Sequence, residues 1–273
     1  MTTATRTLEG KTALVTGASR GIGRAIALGY ARAGAHLALL ARSGDALREV
    51  AGEAQAHGVK TTVLTCDITD PEAVERSFGQ AVEMFGDIDV LVNNAGHFGS
   101  AGPFLELTEQ DWQTIMKVNF DGMAQCLRLF GKHAVARGSG SVVNISSVAG
   151  GNGCPMVSHY AVTKAAINSL SRSLATEWAS CGVRVNVLAP GWVTTALTSE
   201  FADNEEVSAG LMRAVPNGRW GEPEDVVGAA VFLASDAAAM VTGASLTIDG
   251  GLTAYHGGPT MLDLLALGRI DAP

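Results

Sequence analysis

Nothing in this chain marks it for a bilayer, an export route or a nucleic-acid surface. The longest uncharged apolar run, Val226 to Ala234, falls far short of the roughly 20 residues that a membrane-spanning helix needs. The stretch from Met1 to Lys11 lacks the apolar segment of a secretory signal, so a cytoplasmic protein is expected. Cys66, Cys126, Cys154 and Cys181 stand far apart, without C-x-x-C or histidine spacing. They read as reduced thiols, and no metal site is expected. Positive charge is in deficit, 19 Lys and Arg against 27 Asp and Glu for a net charge of −8. That argues against the basic stripe a phosphate backbone requires. Low-complexity linkers and internal repeats are missing as well. The partner to look for is a small molecule, with neither nucleic acid nor membrane involved.

What is present is a core. With 273 residues, 47% hydrophobic and 17% charged, the chain can bury a full α/β interior. Thr12 to Thr16 is a short buried strand, followed by the glycine turn Gly17 to Gly23 and a helical stretch that Gly34 stops. Further strands are expected at 36–41, 61–65, 89–92, 141–145, 183–188 and 245–248. Helices are expected at 71–86, 108–136, 158–180 and 223–235, with Asn119 inside the second of these. Such alternation implies right-handed βαβ units. The product is one doubly wound, Rossmann-type α/β domain: a seven-stranded, mainly parallel sheet with helices on both faces. We expect it to span 1–273, with a lead-in at 1–10, a substrate lid at 194–215 and a C-terminal extension at 252–273. Ligands of such a sheet sit at the carboxyl ends of the strands. Gly17, Arg42, Asp67, Asn93 and Ser147 all fall there, within two residues of a strand end.

Chemistry concentrates between Asn144 and Lys164. Tyr160 and Lys164 are four apart and share one helix face. Such a pair on its own is more often an exposed surface feature. An ammonium beside a phenol favours the phenolate, and moving tyrosine from its ordinary pKa near ~10 to neutrality needs about 4 kcal/mol. A serine hydroxyl can meanwhile bond a carbonyl oxygen. Together these make an acid/base apparatus for carbonyl–alcohol interconversion, short of an electron carrier. The glycine spacing, G-x-x-x-G-x-G, differs from the G-x-G-x-x-G fingerprint. It suits either a pyrophosphate at a helix N-terminus or a plain βα turn.

TGASRGIG (16–23), Asp67, NNAG (93–96), Asn119, Ser147, YAVTK (160–164) and PGWVTT (190–195), in this order, resemble the short-chain dehydrogenase/reductase family over roughly Leu8 to Leu252. The resemblance implies Tyr160 as general acid/base and Ser147 as the carbonyl-orienting hydroxyl. Ser147, rather than Ser146, stands at the family's distance of thirteen residues before Tyr160. It implies Lys164 as the group that lowers the tyrosine pKa and holds the nicotinamide ribose. Asn119 would anchor a water of the proton relay. For the cofactor it implies Gly17, Ser19, Arg20, Gly21, Ile22 and Gly23 at the pyrophosphate, with Asp67 and Ile68 at adenine. Asn93, Ala95 and Gly96 would lie on the adenosine ribose side, and Pro190, Gly191, Val193 and Thr195 at the carboxamide. Segments of the chain are similar to gluconate 5-dehydrogenases and to 3-oxoacyl-carrier-protein reductases alike, and a homotetramer is implied.

Four further expectations complete the reading. Ala41 stands where an NAD-preferring site has its carboxylate, about 20 residues past the glycine turn, and Arg42 follows. With Arg20 and Ser43 this points to NADP(H). Pocket walls are expected from 97–104, 149–159, Trp192 and 197–213. His159, about 100° from Tyr160 around the helix, is expected on neighbouring surface. The apolar stretch 261–267 of the tail is expected either to cap a pocket or to fray.

Overall fold

Every residue of Thr12–Thr16 is buried, and alternate side chains go to opposite faces of the sheet. Ala13 and Val15 join one core cluster, with Leu37, Leu39 and Ala41 of the next strand. Leu14 joins the other, with Ala38 and Leu40. This two-sided burial is what a parallel sheet covered by helices demands of its strands. The computed structural model describes residues 7–254. Its strands are β1 (Thr12–Thr16), β2 (His36–Ala41), β3 (Thr61–Thr65), β4 (Val90–Asn93), β5 (Gly140–Ile145), β6 (Val183–Pro190) and β7 (Ser245–Ile248). They form one sheet in the order β3-β2-β1-β4-β5-β6-β7. All its pairings are parallel, so the sheet is wholly and not mainly parallel.

The helices are α1 (Gly21–Arg32), α2 (Gly44–Gln55), α3 (Pro71–Phe85), α4 (Glu109–Met116), α5 (Met123–Arg137), α6 (Ser158–Trp178), α7 (Ser199–Ala202), α8 (Glu205–Met212) and α9 (Val227–Ala234). Local chemistry fixes several starts. Asp70 caps α3 through Glu72 and Ala73, with Pro71 in the first turn, where its missing N–H is no loss. Thr108 and Asp111 close a capping box on α4. The long helix expected over 108–136 is interrupted: Lys117–Gly122 is a π-helical turn between α4 and α5. The helix expected at 223–235 begins as a 3₁₀ turn, Pro223–Val226.

Strand order reverses between β1 and β4, which opens a crevice at their carboxyl ends. Thr16 Oγ1 accepts there from the backbone N–H groups of Asn94 and Ala95, both at 3.0 Å. The Asn94 amide donates to the Thr16 and Gly17 carbonyls at 3.0 and 3.2 Å. Among the described residues, no helix is long and apolar enough to cross a membrane. The lead-in is tied down at buried Leu8, whose N–H donates to the Ala33 carbonyl at 2.9 Å. The tail beyond Ala254, including the stretch expected to cap a pocket, lies outside the described residues.

Candidate active site

Two clefts meet at the crevice. One, of about 1090 Å³, runs along the carboxyl ends of β1, β2 and β3. Gly17 and Gly21 enter it with φ of +65° and +55°, values that favour glycine. Gly23 does not face it but makes the turn possible: a Cβ there would lie 2.3 Å from both the Gly17 carbonyl oxygen and the Asn94 amide. Behind the turn, α1 starts at Arg20 without a side-chain cap and without an acidic residue in its first turn. Uncapped N–H groups at a helix start suit a pyrophosphate. Ser19, Arg20, Ile22, Arg42, Asp67 and Ile68 line the same cleft, as do Ala95 and Gly96. The residues present fit a nicotinamide dinucleotide.

Asn93 does not join them. It is the last residue of β4 and lies in register with Asn144 of β5, to whose Oδ1 its amide donates at 2.9 Å. Asn144 donates in turn to Ser171 of α6 at 2.8 Å. Its side chain is a buried tie between sheet and helix, and its neighbour Asn94 is the asparagine that lines both clefts. Lys117, at the start of the π-helical turn, also lines the dinucleotide cleft. Nothing in the sequence marks this lone helical lysine as facing inward.

The second cavity, of about 450 Å³, holds Ser147, Tyr160 and Lys164 beside Ile22, Pro190, Gly191, Val193 and Thr195. Tyr160 is 8% and Lys164 6% exposed, so both are buried. Lys164 Nζ donates to the Ile145 carbonyl at 3.0 Å and lies 5.5 Å from the Tyr160 ring centre. Ser147 and Ser146 divide their duties: Ser146 donates to the Lys164 carbonyl at 3.1 Å, whereas Ser147 accepts from the Ala149 N–H at 3.2 Å and lies near enough to Tyr160 to pull the phenol's pKa down. The serine thirteen positions before the tyrosine is thus the one at the phenol.

The proton affinities depart from expectation. Burial pushes the Tyr160 phenol up to about 12, and the Ser147 hydrogen bond opposes it only in part. Burial likewise pushes the Lys164 ammonium down to about 8. Desolvation is the largest cause at both groups. At neutral pH the phenol keeps its proton and the lysine its charge.

Asn119 is 1% exposed, inside the π-helical turn. Its Oδ1 accepts from the His97 N–H at 2.9 Å, and its amide donates to the His97 carbonyl at 2.9 Å and to Thr163 at 3.3 Å. Thr163 donates to the Tyr160 carbonyl at 2.7 Å. The side chain joins the backbone of His97 to Thr163 of α6. His159 departs from expectation: it is wholly buried, 6.0 Å edge-on to Trp112, under the 97–102 loop. A Cβ on Gly99 would lie 2.6 Å from its Nε2. The face of α6 that bears it is covered by α4 and the loop rather than open to solvent.

The expected walls largely assemble. His97, Phe98, Ala149, Cys154, Trp192 and Leu197 line the cavity. Phe201 of α7 packs on Phe98 and Trp192 at ring distances of 5.8 and 5.9 Å. Trp192 packs on Trp220, whose Nε1 donates to Ser208 of α8 at 2.8 Å.

A glycine-cradled dinucleotide cleft opening onto a serine, a tyrosine and a lysine defines a nicotinamide-dependent oxidoreductase of ketones and secondary alcohols. A family model described as enoyl-(acyl carrier protein) reductase matches residues 17–253. Gluconate 5-dehydrogenase of Gluconobacter oxydans is 39% identical over 246 residues, 90% of this chain and 96% of the relative. A 3-oxoacyl-[acyl-carrier-protein] reductase of Staphylococcus aureus is 36% identical over 243 residues, 89% of this chain and 98% of the relative. Among solved structures, gluconate 5-dehydrogenase of Burkholderia cenocepacia, in complex with NADP and tartrate, superposes with a TM-score of 0.88. It is 35% identical, and the match covers 92% of this chain and 98% of that one. The chain belongs to the short-chain dehydrogenase/reductase family.

Proposed function

We propose that this protein reduces a ketone to a secondary alcohol with NADPH, and runs the reverse with NADP⁺. Ser147, Tyr160 and Lys164 carry the acid/base work. The observation that carries the proposal is that these three share one cavity, and that this cavity meets a cleft lined by Arg20, Arg42 and Ser43. The end of β2 offers Ala41 and no carboxylate there, so a ribose 2′-phosphate meets no repulsion at that point. Neither arginine closes an ion pair among the described residues, which leaves both guanidinium groups able to fork onto a phosphate.

Pro190, Gly191, Val193 and Thr195 hold the carboxamide side of the dinucleotide, and Asp67 and Ile68 the adenine side. The bound nicotinamide supplies or accepts the hydride. Ser147 donates a hydrogen bond to the ketone oxygen and fixes its place. Tyr160, protonated at neutral pH, gives its phenolic proton to that oxygen as charge develops there. The Lys164 ammonium steadies the resulting phenolate. In alcohol oxidation the same phenolate takes the proton back. Asn119 holds the His97 loop and α6 in register, a positioning role.

A second reading is an NAD-dependent sugar-acid or polyol dehydrogenase, and the gluconate 5-dehydrogenase relative supports its sugar-acid part. Titrating NADPH and NADH by fluorescence and assaying both against a panel of ketones, keto sugars and keto sugar acids separates the two. Tight NADPH binding with ketone turnover supports the first. Turnover of a keto sugar acid with NADH alone overturns it. Binding without any turnover points to a catalytically silent dinucleotide-binding protein.

A further inference from the structure

The substrate cavity is short of charge. Among its described lining residues Lys164 is the single Asp, Glu, Lys or Arg. Its ammonium is 3.0 Å from the Ile145 carbonyl, at the back of the cavity beneath Tyr160. The lining histidine, His97, is held neutral: burial lowers its pKa, and its Nδ1 accepts from the Gly99 N–H at 3.2 Å. The three arginines and lysines of the crevice, Arg20, Arg42 and Lys117, all belong to the dinucleotide cleft. Among the described residues, a substrate carboxylate entering here gives up water and meets no cation except the Lys164 ammonium, which is already bonded to the Ile145 carbonyl, an unfavourable exchange.

The walls point the same way. Phe98 stands 4.8 Å from the Tyr160 ring, directly beside the phenol that protonates the substrate. Phe201 bridges Phe98 to Trp192, so an aromatic roof covers the reacting centre. Val148, Ala149, Cys154 and Leu197 add apolar surface. Substrate hydroxyl groups along a sugar chain would need several partners. Outside the acid/base set, the polar side chains Asn94, Asn152, Thr195, Thr198 and Thr253 line the cavity, and each is already hydrogen-bonded within the protein.

We infer that the substrate is an uncharged ketone with an apolar body, and not a sugar acid of the kind named for the gluconate dehydrogenase relatives. The inference rests on the ketone-reductase reading of Ser147, Tyr160 and Lys164. Two sources share this chemistry, an aryl or cyclic ketone and a 3-oxoacyl thioester.

The test is a matched pair of ketones that differ at one substituent. 4-Methylacetophenone and 4-acetylbenzoate present the same carbonyl, one with a methyl group and one with a carboxylate. D-Fructose serves as an uncharged polar control, and S-acetoacetyl-N-acetylcysteamine as the thioester. With the whole enzyme and NADPH at pH 7, kcat/KM for 4-methylacetophenone or the thioester should exceed that for 4-acetylbenzoate by at least ~10²-fold. Whichever of those two is faster identifies the source. Equal or faster reduction of 4-acetylbenzoate, or faster reduction of D-fructose than of both apolar ketones, overturns the inference and leaves the reductase reading standing. Calorimetric binding of the same compounds to the NADP⁺ complex decides the matter without turnover. The methyl ketone should bind at least ~10-fold tighter than the carboxylate, and equal affinities would refute the inference even if the reductase reading failed. Asn152→Arg, which sets a cation on the cavity wall, should raise 4-acetylbenzoate relative to 4-methylacetophenone by at least ~10-fold.

Discussion

Lys164 Nζ lies 5.5 Å from the centre of the Tyr160 ring, yet its hydrogen bond goes to the Ile145 carbonyl. The lysine is aimed past the phenol, along the floor of the cavity, and Tyr160 keeps its proton until a substrate oxygen needs it. In the proposed mechanism Tyr160 is the acid of ketone reduction, with Ser147 beside it. Tyr160→Phe removes that proton and little volume, and should lower kcat by at least ~10²-fold. NADPH affinity should hold, because the phenol carries no share of the dinucleotide cleft. Steady-state kinetics beside an NADPH fluorescence titration checks both halves, and near-native turnover would remove Tyr160 from its role.

Lys164 makes a pH prediction. Burial holds its pKa near about 8, below the ordinary 10.5. Between those values the unfolded chain binds a proton that the folded chain has lost, so this group makes stability rise with pH over that window. Function runs the other way, since a neutral lysine neither steadies a phenolate nor grips a ribose as well. kcat/KM for NADPH, which reports the free enzyme, should fall above a pH of about 8. Lys164→Arg, charged throughout, should move that limb upward. A flat profile to pH 9.5 in the unmodified enzyme would contradict the assignment.

The glycine turn offers a pair of opposite outcomes. A methyl group at Gly23 would strike the Gly17 carbonyl at 2.3 Å, so Gly23→Ala must displace the turn. NADPH affinity should weaken by at least ~10-fold. At Gly52, within α2, nothing lies within 4 Å of a new Cβ. Gly52→Ala should stabilise by about 0.5–1 kcal/mol and leave NADPH binding unchanged. Thermal melts with and without NADPH distinguish the two. A melting temperature that falls in Gly52→Ala would show that the helical position is not open.

The order of motifs, the strand–helix alternation and the crevice could all be read from the sequence, because each rests on local periodicity and on glycine punctuation. What escaped depended on register and burial. Asn93 looked like a ligand residue because it ends a strand beside Asn94. Only the pairing of Asn93 with Asn144 shows that it turns inward, and neighbouring residues on a strand take opposite faces. His159 was placed outside by its angle on α6, yet the 97–102 loop folds over that face. The π-helical turn at Asn119 has no signature in periodicity beyond the asparagine itself. The tyrosine is a related case: its spacing from Lys164 is legible in the sequence, whereas the burial that raises its pKa depends on the fold.

Assembly is open to a direct test. Leu170, Leu174 and Trp178 pack half-buried against this chain's own core, with Trp178 over Gly131 of α5. The exposed apolar positions of α6 are Val162 and Ala165, at its N-terminal half. Small exposed side chains let a neighbouring helix approach closely, and α6 is the element through which we expect a homotetramer, or at least a dimer. Light scattering at micromolar concentration should show that assembly, and Ala165→Arg should shift it toward monomer. A stable monomer in the unmodified protein would end the prediction.

Cofactor choice turns on the end of β2. Ala41 is 9% exposed and brings no charge, and Arg42 and Ser43 follow directly into the dinucleotide cleft. Ser43 is the N-cap of α2, accepting from the Ala46 N–H at 3.4 Å, so its own O–H remains able to donate to a phosphate. The start of α2 adds the positive end of a twelve-residue helix at the same spot. Asp67 is the opposing charge in this cleft. Its carboxylate already accepts from the Thr69 N–H at 2.9 Å and hydroxyl at 2.8 Å, bonds that hold its pKa below the ordinary range with help from Arg42. It is tied back toward its own loop rather than left free to bond a ribose hydroxyl. Charge-assisted hydrogen bonds contribute about 1.5–3 kcal/mol each, so two arginines should favour NADP(H) by at least ~10-fold. Ala41→Asp with Arg42→Leu supplies an acceptor for the 2′-hydroxyl and removes a partner of the 2′-phosphate. The ratio of kcat/KM for NADPH over NADH should then fall below one. A ratio below one in the unmodified enzyme would show that these arginines do not read the phosphate.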